Sequence, residues 1–129
     1  MLRKYLRLVV LIISALTIIS GLVQLISPAF ILTFIHGDIT QATKHEFGII
    51  GMFMFLFGGL MLHTLYSAET SSTVVLWCGL QKLGASIAVF LAIWKSLFAP
   101  IAALVAGFDL LSAIIFFYYY SIVRNDTHG

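Results

Sequence analysis

Charged residues are scarce in this sequence. Only 9% of its 129 residues are charged, whereas 61% are hydrophobic, and the mean hydropathy is +1.10. A soluble domain carries about 25% charged residues, so the polar surface available here is too small to cover a water-soluble globule. The net charge of +2 comes without a basic patch with interleaved aromatics, which argues against nucleic acid as a partner.

Cysteine is nearly absent, and recognisable catalytic motifs are missing. The single Cys78 excludes an internal disulfide and any multi-cysteine metal site, and we expect it to be a small buried apolar residue. No Ser-His-Asp order, P-loop or dinucleotide fingerprint is found. The sequence therefore favours a protein that is not an enzyme, and it predicts neither catalytic residues nor a bound cofactor.

Long apolar runs dominate the sequence instead. Four runs reach the roughly 20 residues that a helix needs to cross a bilayer, and they cover residues 8–26, 47–65, 74–94 and 101–122. Because the connections are short, consecutive helices should be antiparallel neighbours. We predict an all-α integral membrane protein: one domain over residues 1–129, forming an antiparallel up-and-down bundle of four transmembrane helices.

Local signals mark the helix ends. A capping box is predicted at Thr43, with Glu46 reaching back to its backbone amide. Ser71 is a suitable cap for the third helix, and Pro100 suits the first turn of the fourth. A short interfacial helix is expected over residues 29–35, after Pro28 has ended the first span.

The distribution of lysine and arginine predicts the orientation. Cationic residues in short flanks accumulate on the cytoplasmic side of a membrane. One side would hold Arg3, Lys4, Arg7 and Arg124, and the other Lys44 and Lys95. We therefore expect both termini in the cytoplasm, as for a multi-pass protein of a bacterial inner membrane.

Each span carries one stripe of small or polar residues that we expect to face a neighbour, because membrane helices associate through close packing and interhelical hydrogen bonds. The predicted stripes are Ser14, Thr17, Gly21 and Gln24; Gly48, Phe55 and Gly59; Cys78, Lys82, Ala85 and Val89; and Ala102, Ala106, Asp109, Ser112 and Ala113. The stripes would meet one another, a ligand or a partner subunit.

Lys82 and Asp109 are charges inside predicted spans. Such a charge costs roughly 2.5–3.5 kcal/mol on insertion scales, so it usually has a partner or a function. Each lies ~12 Å from its own end of the bundle, which leaves their depths only ~6 Å apart in a core of ~30 Å. We predict a buried ion pair, with Gln81 or Gln24 as hydrogen-bonding neighbours, that either sets helix register or lines a ligand or proton pathway.

Four polar residues between the first two spans form a candidate pocket mouth: His36, Asp38, His45 and Glu46. Their spacing matches no helical metal motif, so a solvated interfacial loop is favoured and no metal site is predicted. His63, near the end of the second span, is interpreted as an interfacial or helix-bonding residue in preference to a haem ligand.

Residues 44–60 read KHEFGIIGMFMFLFGGL, a polar entry followed by a glycine-rich span. This stretch resembles the second helix of small DoxX-like four-helix membrane proteins, and the length and four-span layout of the chain match as well. The resemblance implies a compact four-helix bundle, in a family of which some members accompany respiratory or redox enzymes. It transfers no catalytic residues.

Three functions follow as hypotheses. The first is a non-enzymatic accessory, assembly or interaction subunit of a larger membrane complex, with the lipid bilayer and other membrane subunits or further copies of this chain as partners. The alternative is a bundle that binds an apolar small molecule, a quinone or a lipid, around Lys82 and Asp109. A small transporter or proton-coupled carrier ranks third, because neither an inverted repeat nor a broken helix is visible.

Overall fold

The computed structural model describes residues 2–128, and within this range the chain is helical without a strand. Four long helices and one short helix follow each other: α1 (Leu2–Ile26), α2 (Pro28–Ile35), α3 (Gln41–Leu65), α4 (Ser72–Trp94) and α5 (Ala103–His128), with a 3-10 turn at Pro100–Ala102 before α5. The four long helices are long and apolar enough to cross a membrane. This confirms the predicted helical class and fits a multi-pass membrane protein.

The helices extend beyond the apolar runs, because polar residues at the run ends continue the backbone hydrogen bonding. α1 begins at Leu2 and α3 at Gln41, several residues before the predicted starts. The capping box predicted at Thr43 and Glu46 is wrong: Thr40 is the N-cap, its hydroxyl accepts from the Thr43 amide at 3.1 Å, and Thr43 bonds back to the Thr40 amide at 2.8 Å. Threonine can supply the reciprocal bond that was assigned to glutamate.

The ends of the other helices agree more closely with the sequence. Ser71 caps α4 and accepts a hydrogen bond from the Val74 amide at 3.4 Å. The predicted interfacial helix is α2, which has Pro28 in its first turn and ends at His36 in the left-handed conformation, with φ 57°. The exposed Phe30 and Phe34 of α2 suit a membrane interface.

The long helices pack as two close pairs. α1 contacts α3 most extensively and α4 contacts α5, while contacts between the pairs are fewer. Glycines bring α1 and α3 together: a Cβ added to Gly51 would lie 2.6 Å from the Gly21 carbonyl oxygen, and one added to Gly58 would lie 2.9 Å from the Ser14 carbonyl oxygen. Such backbone contact is a recurrent way to join helices in lipid.

The stripe predicted for the second span is therefore only partly right. Gly48 is buried, but Phe55 is 38% exposed and a Cβ at Gly59 would meet nothing within 4 Å. Gly51 and Gly58 occupy the seam instead. Gly51 and Gly58 are seven residues apart, and contact with α1 distinguishes them from Gly59.

One end of the structure has a filled apolar core, which we call the closed half. It contains the N-terminal parts of α1 and α4 and the C-terminal parts of α3 and α5. Its buried residues are Val10, Ile13, Met61, Leu65, Val75, Cys78, Phe116, Tyr119 and Val123. Arg7 ties α1 to α3 there by donating to the Leu65 carbonyl at 2.8 Å.

Candidate functional site

The predicted ion pair is present at mid-height between the last two long helices. Lys82 on α4 and Asp109 on α5 approach to 3.2 Å between Nζ and Oδ1. Their side chains are only 4% and 14% exposed. A charge so far from water needs a partner, and each residue is that partner for the other.

A third residue, Thr17 on α1, completes the arrangement. Lys82 donates a hydrogen bond to Thr17 Oγ1 at 2.7 Å, and Thr17 donates its own hydroxyl proton to the Ile13 carbonyl at 2.8 Å. The ammonium also lies 5.3 Å from the centre of the Phe108 ring, a cation–π distance. The pair therefore connects α1, α4 and α5.

The hydrogen-bonding neighbours predicted from the sequence are wrong. Gln24 donates to the Phe47 carbonyl at 3.0 Å instead, and Gln81 makes no hydrogen bond with the residues that the structure describes. Thr17 was recognised as part of the inward stripe of the first helix but not as the lysine's partner. A long lysine side chain can reach several residues along a facing helix. The depth of Lys82 in the bundle therefore does not by itself identify Thr17 as its partner.

A cavity of about 330 Å³ lies on the side of the ion pair away from the closed half, and we call the part of the bundle around it the open half. Its polar lining is Gln24, Gln81, Lys82 and Asp109, the four residues that the sequence analysis named as site candidates. The rest of the wall is apolar and comes from α2, α3, α4 and α5, from the 3-10 turn and from Phe98. Ligand sites typically have volumes of about 300–1,000 Å³ and mostly apolar walls with a few polar groups.

Small side chains leave this space empty. α4 lines the cavity with Ala85, Ala88 and Ala92, and the 3-10 turn before α5 adds Ala102. Three of the lining residues are exposed: Ile50 on α3, Ala88 on α4 and Val105 on α5. Among the long helices that contact each other, α3 and α4 do so least, and an apolar chain could pass between them.

The end of the cavity away from the ion pair is covered by α2 and the segment before the 3-10 turn. The Phe98 ring packs edge-on against Phe47, with 5.9 Å between ring centroids. The Ala99 amide donates to the Ile35 carbonyl at 2.9 Å, which joins this segment to the end of α2. Aromatic and backbone contacts thus hold the cover in place.

On the other side, the cavity ends at the ion pair. On the closed-half side of Lys82 is a space of only about 10 Å³, lined in part by Ser14, Thr17 and Cys78, which is about the smallest space that can hold one water. The apolar core of the closed half follows. The cavity of the open half is therefore closed at the end where the ion pair lies.

The candidate pocket-mouth residues do not line the cavity. His36, Asp38, His45 and Glu46 are exposed, and none of their side chains bonds to another within the described part of the chain. Phe47, which directly follows Glu46, is the residue of this segment that faces the cavity. No group of three or more potential metal ligands occurs among residues 2–128.

The remaining candidates lie away from the cavity. His63 is exposed near the C-terminal end of α3, where its carbonyl accepts from Ser67 Oγ at 2.7 Å. Cys78 is buried in the closed half and its thiol lies 3.7 Å from the Phe57 carbonyl oxygen. Neither His63 nor Cys78 therefore lines the cavity.

Comparison with known proteins adds no further assignment: no protein-family model, curated protein or solved structure matches this chain.

Proposed function

We propose that this chain is a multi-pass integral membrane protein that binds an amphiphilic small molecule, a lipid or a quinone, in the cavity of its open half. The observation that carries this proposal is the 330 Å³ cavity, whose walls are apolar and whose inner end holds the Lys82–Asp109 pair. The ligand's polar group would meet the pair, and its apolar part would lie against the wall.

The surroundings of the helices support the membrane assignment. Within each apolar window only 28–33% of the residues are buried, so large aliphatic and aromatic side chains cover the outside. Soluble proteins rarely expose such extended apolar surfaces.

We propose an antiparallel up-and-down bundle with both termini in the cytoplasm of a bacterial cell. We also propose a relationship to the DoxX-like family, on the resemblance of residues 44–60 alone.

A direct test is to identify what the purified protein carries. Native mass spectrometry of the full chain, extracted in mild detergent, should show a bound small molecule. The variant Ala85→Phe should lose it, because the larger ring occupies the cavity. The matched control Ile87→Phe places the same ring on the exposed side of α4, and it should keep the ligand.

Two results would contradict the proposal. One is repeated absence of any bound molecule in the wild-type protein, including after incubation with total membrane lipid. The other is equal occupancy in Ala85→Phe and wild type, which would place the ligand outside the cavity.

A second candidate function is an accessory or assembly subunit of a larger membrane complex. Gly84 on α4 and Gly107 on α5 favour it, since both are exposed and a Cβ added to either would meet nothing within 4 Å. Small outward-facing residues allow a further helix to approach closely. Defined co-purifying subunits would support this function, whereas an isolated monomer would argue against it.

Transport is the least supported of the three hypotheses. The cavity ends at Lys82 and Asp109, and the closed half beyond is filled with apolar side chains. A carrier would need a second arrangement of the helices that opens the closed half.

A further inference from the structure

The hydrogen-bonding capacity of the ion pair is not used up within the protein. An ammonium has three N–H donors and a carboxylate has two acceptor oxygens. Lys82 directs two donors to Thr17 and Asp109, and Asp109 accepts through Oδ1 alone among the residues described. One N–H of Lys82 and the Oδ2 atom of Asp109 therefore have no hydrogen-bond partner among the described residues, and both side chains line the cavity.

The net charge of this site is zero. Lys82 and Asp109 are the sole Lys, Arg, Asp or Glu residues in the cavity lining, and they neutralise each other at 3.2 Å. An anionic head group that approached Lys82 would compete with Asp109, and a cationic one would compete with Lys82. In either case one charge would remain without a partner in an apolar environment, which is strongly unfavourable.

We infer that the ligand is a single-chain amphiphile with an uncharged oxygen-containing head group that accepts a hydrogen bond from Lys82 and donates one to Asp109. Hydroxyl groups meet both requirements at once. The inference rests on the proposed ligand-binding function and specifies the chemistry of the ligand.

The size of the cavity agrees with such a molecule. At about 330 Å³ it is at the lower end of the range for small-molecule sites. It has room for a head group and the adjoining part of a chain. The rest of the chain would pass between α3 and α4, where Ile50 and Ala88 are exposed.

Two kinds of membrane molecule share this chemistry: acylglycerols and isoprenoid quinols. Both have uncharged oxygen-containing head groups with hydroxyls. They differ in shape, since the quinol ring is flat and rigid while the glycerol is small and flexible. The test therefore includes one of each.

The experiment compares head groups on probes of similar chain length. The full chain is reconstituted in phosphatidylcholine nanodiscs and titrated with 1-monolauroylglycerol, a ubiquinol with a decyl tail, lauric acid or dodecylamine. The pH is set so that the acid is ionised and the amine protonated. Binding is read by native mass spectrometry and by the shift in Tm.

At least one uncharged probe should bind about tenfold more tightly than either charged probe, a ratio equivalent to ~1.4 kcal/mol. Whether the glyceride or the quinol binds more tightly identifies the source of the ligand. Tightest binding by lauric acid or dodecylamine to the wild-type protein would overturn the inference about the head group while leaving the ligand-binding function intact.

A charge variant adds an independent readout. Asp109→Asn keeps the shape of the side chain but leaves Lys82 without its anion, so lauric acid should gain about tenfold relative to the glyceride. The control Gly107→Ala, on the same helix with open space around it, should keep the wild-type order. An unchanged order in Asp109→Asn would overturn the role given to the pair.

The two levels of the proposal fail in different ways. If Asp109→Asn does not fold, the wild-type series alone decides the preference. If none of the four probes binds but the purified protein carries another molecule, the head-group inference is wrong and the ligand-binding function stands. If nothing is bound in either experiment, both are wrong.

Discussion

The closed half and the open half are formed by the same four long helices, yet one is filled and the other encloses a cavity. In the closed half, Met61, Phe116 and Tyr119 are buried to 2% exposure or less and fill the space between the helices. In the open half, α4 lines the cavity with Ala85, Ala88 and Ala92, and Ala102 of the 3-10 turn adds a fourth alanine. The difference shows that side-chain size, and not overall hydrophobicity, decides where this bundle holds a site.

The boundary between the halves is the ion pair. It closes the inner end of the cavity and also bridges α1, α4 and α5 through Thr17. Substitutions here should affect both halves, while substitutions deeper in either half should affect that half alone. Three pairs of variants test this comparison, in order of decreasing expected effect.

Breaking the pair from one side should have the largest effect. Lys82→Met leaves Asp109 as a buried charge without a partner, and such losses lower the free energy of unfolding by about 3–5 kcal/mol. The double variant Lys82→Met/Asp109→Leu removes both charges and should remain near the wild-type stability, because apolar replacements of a buried pair are often neutral or stabilising. Unfolding by denaturant in detergent micelles measures both.

The double variant also separates the two roles of the pair. If the pair only sets helix register, the well-folded double variant should retain bound ligand at wild-type occupancy. Loss of the ligand from that variant would instead support the site that we propose.

Truncating a methionine to alanine should lower the free energy of unfolding more in the closed half than in the open half. Met61→Ala empties space in the closed half, where Met61 is 1% exposed, and should lower the free energy of unfolding by about 2–5 kcal/mol. Met54→Ala, two turns earlier on α3, enlarges a cavity that already exists and should cost less than about 1 kcal/mol. Equal losses of stability in the two variants would remove the distinction between the halves.

The seam between α1 and α3 should be sensitive to a single methyl group. Gly51→Ala places a Cβ 2.6 Å from the Gly21 carbonyl oxygen. The helices must then separate, at a cost of about 1–3 kcal/mol. Gly59→Ala on the same helix meets nothing within 4 Å and should be neutral or stabilising, because alanine favours a helix by roughly 0.5–1 kcal/mol over glycine. Thermal unfolding of the two variants side by side measures the difference. A similar loss in both would show that the close approach at Gly51 does not stabilise the pair of helices.

Several features of the site were predictable from local sequence because their physics is simple. Two opposite charges inside apolar spans and at similar depths have few partners other than each other, which is why the Lys82–Asp109 contact was predicted. Gln24 and Gln81 were named as hydrogen-bonding neighbours of the pair; they line the cavity with it but do not bond to it within the described part of the chain. The partner Thr17 was not named, because the choice among inward-facing polar groups depends on helix rotation and side-chain reach.

The wrong predictions concern places where two local arrangements of the chain have similar energies. Thr40 and Thr43 are both competent N-caps, and the surrounding loop, in which Thr43 Oγ1 also donates to the Asp38 carbonyl at 2.7 Å, favours the earlier start. Glycines occur at several positions of α3, and contact with α1 distinguishes Gly51 and Gly58 from Gly59. Hydropathy contains no information on either choice.

The sequence by itself determined the helical class, the number of long apolar helices and the identity of the charges that must find partners. These follow from composition and periodicity, since an apolar run without charges has few stable alternatives to a helix. The tertiary structure alone decided that Thr17 joins the ion pair and that alanines of α4 and of the 3-10 turn converge on one unfilled volume. Such features depend on how helices distant in sequence rotate and approach one another, which is a property of packing and not of any single segment.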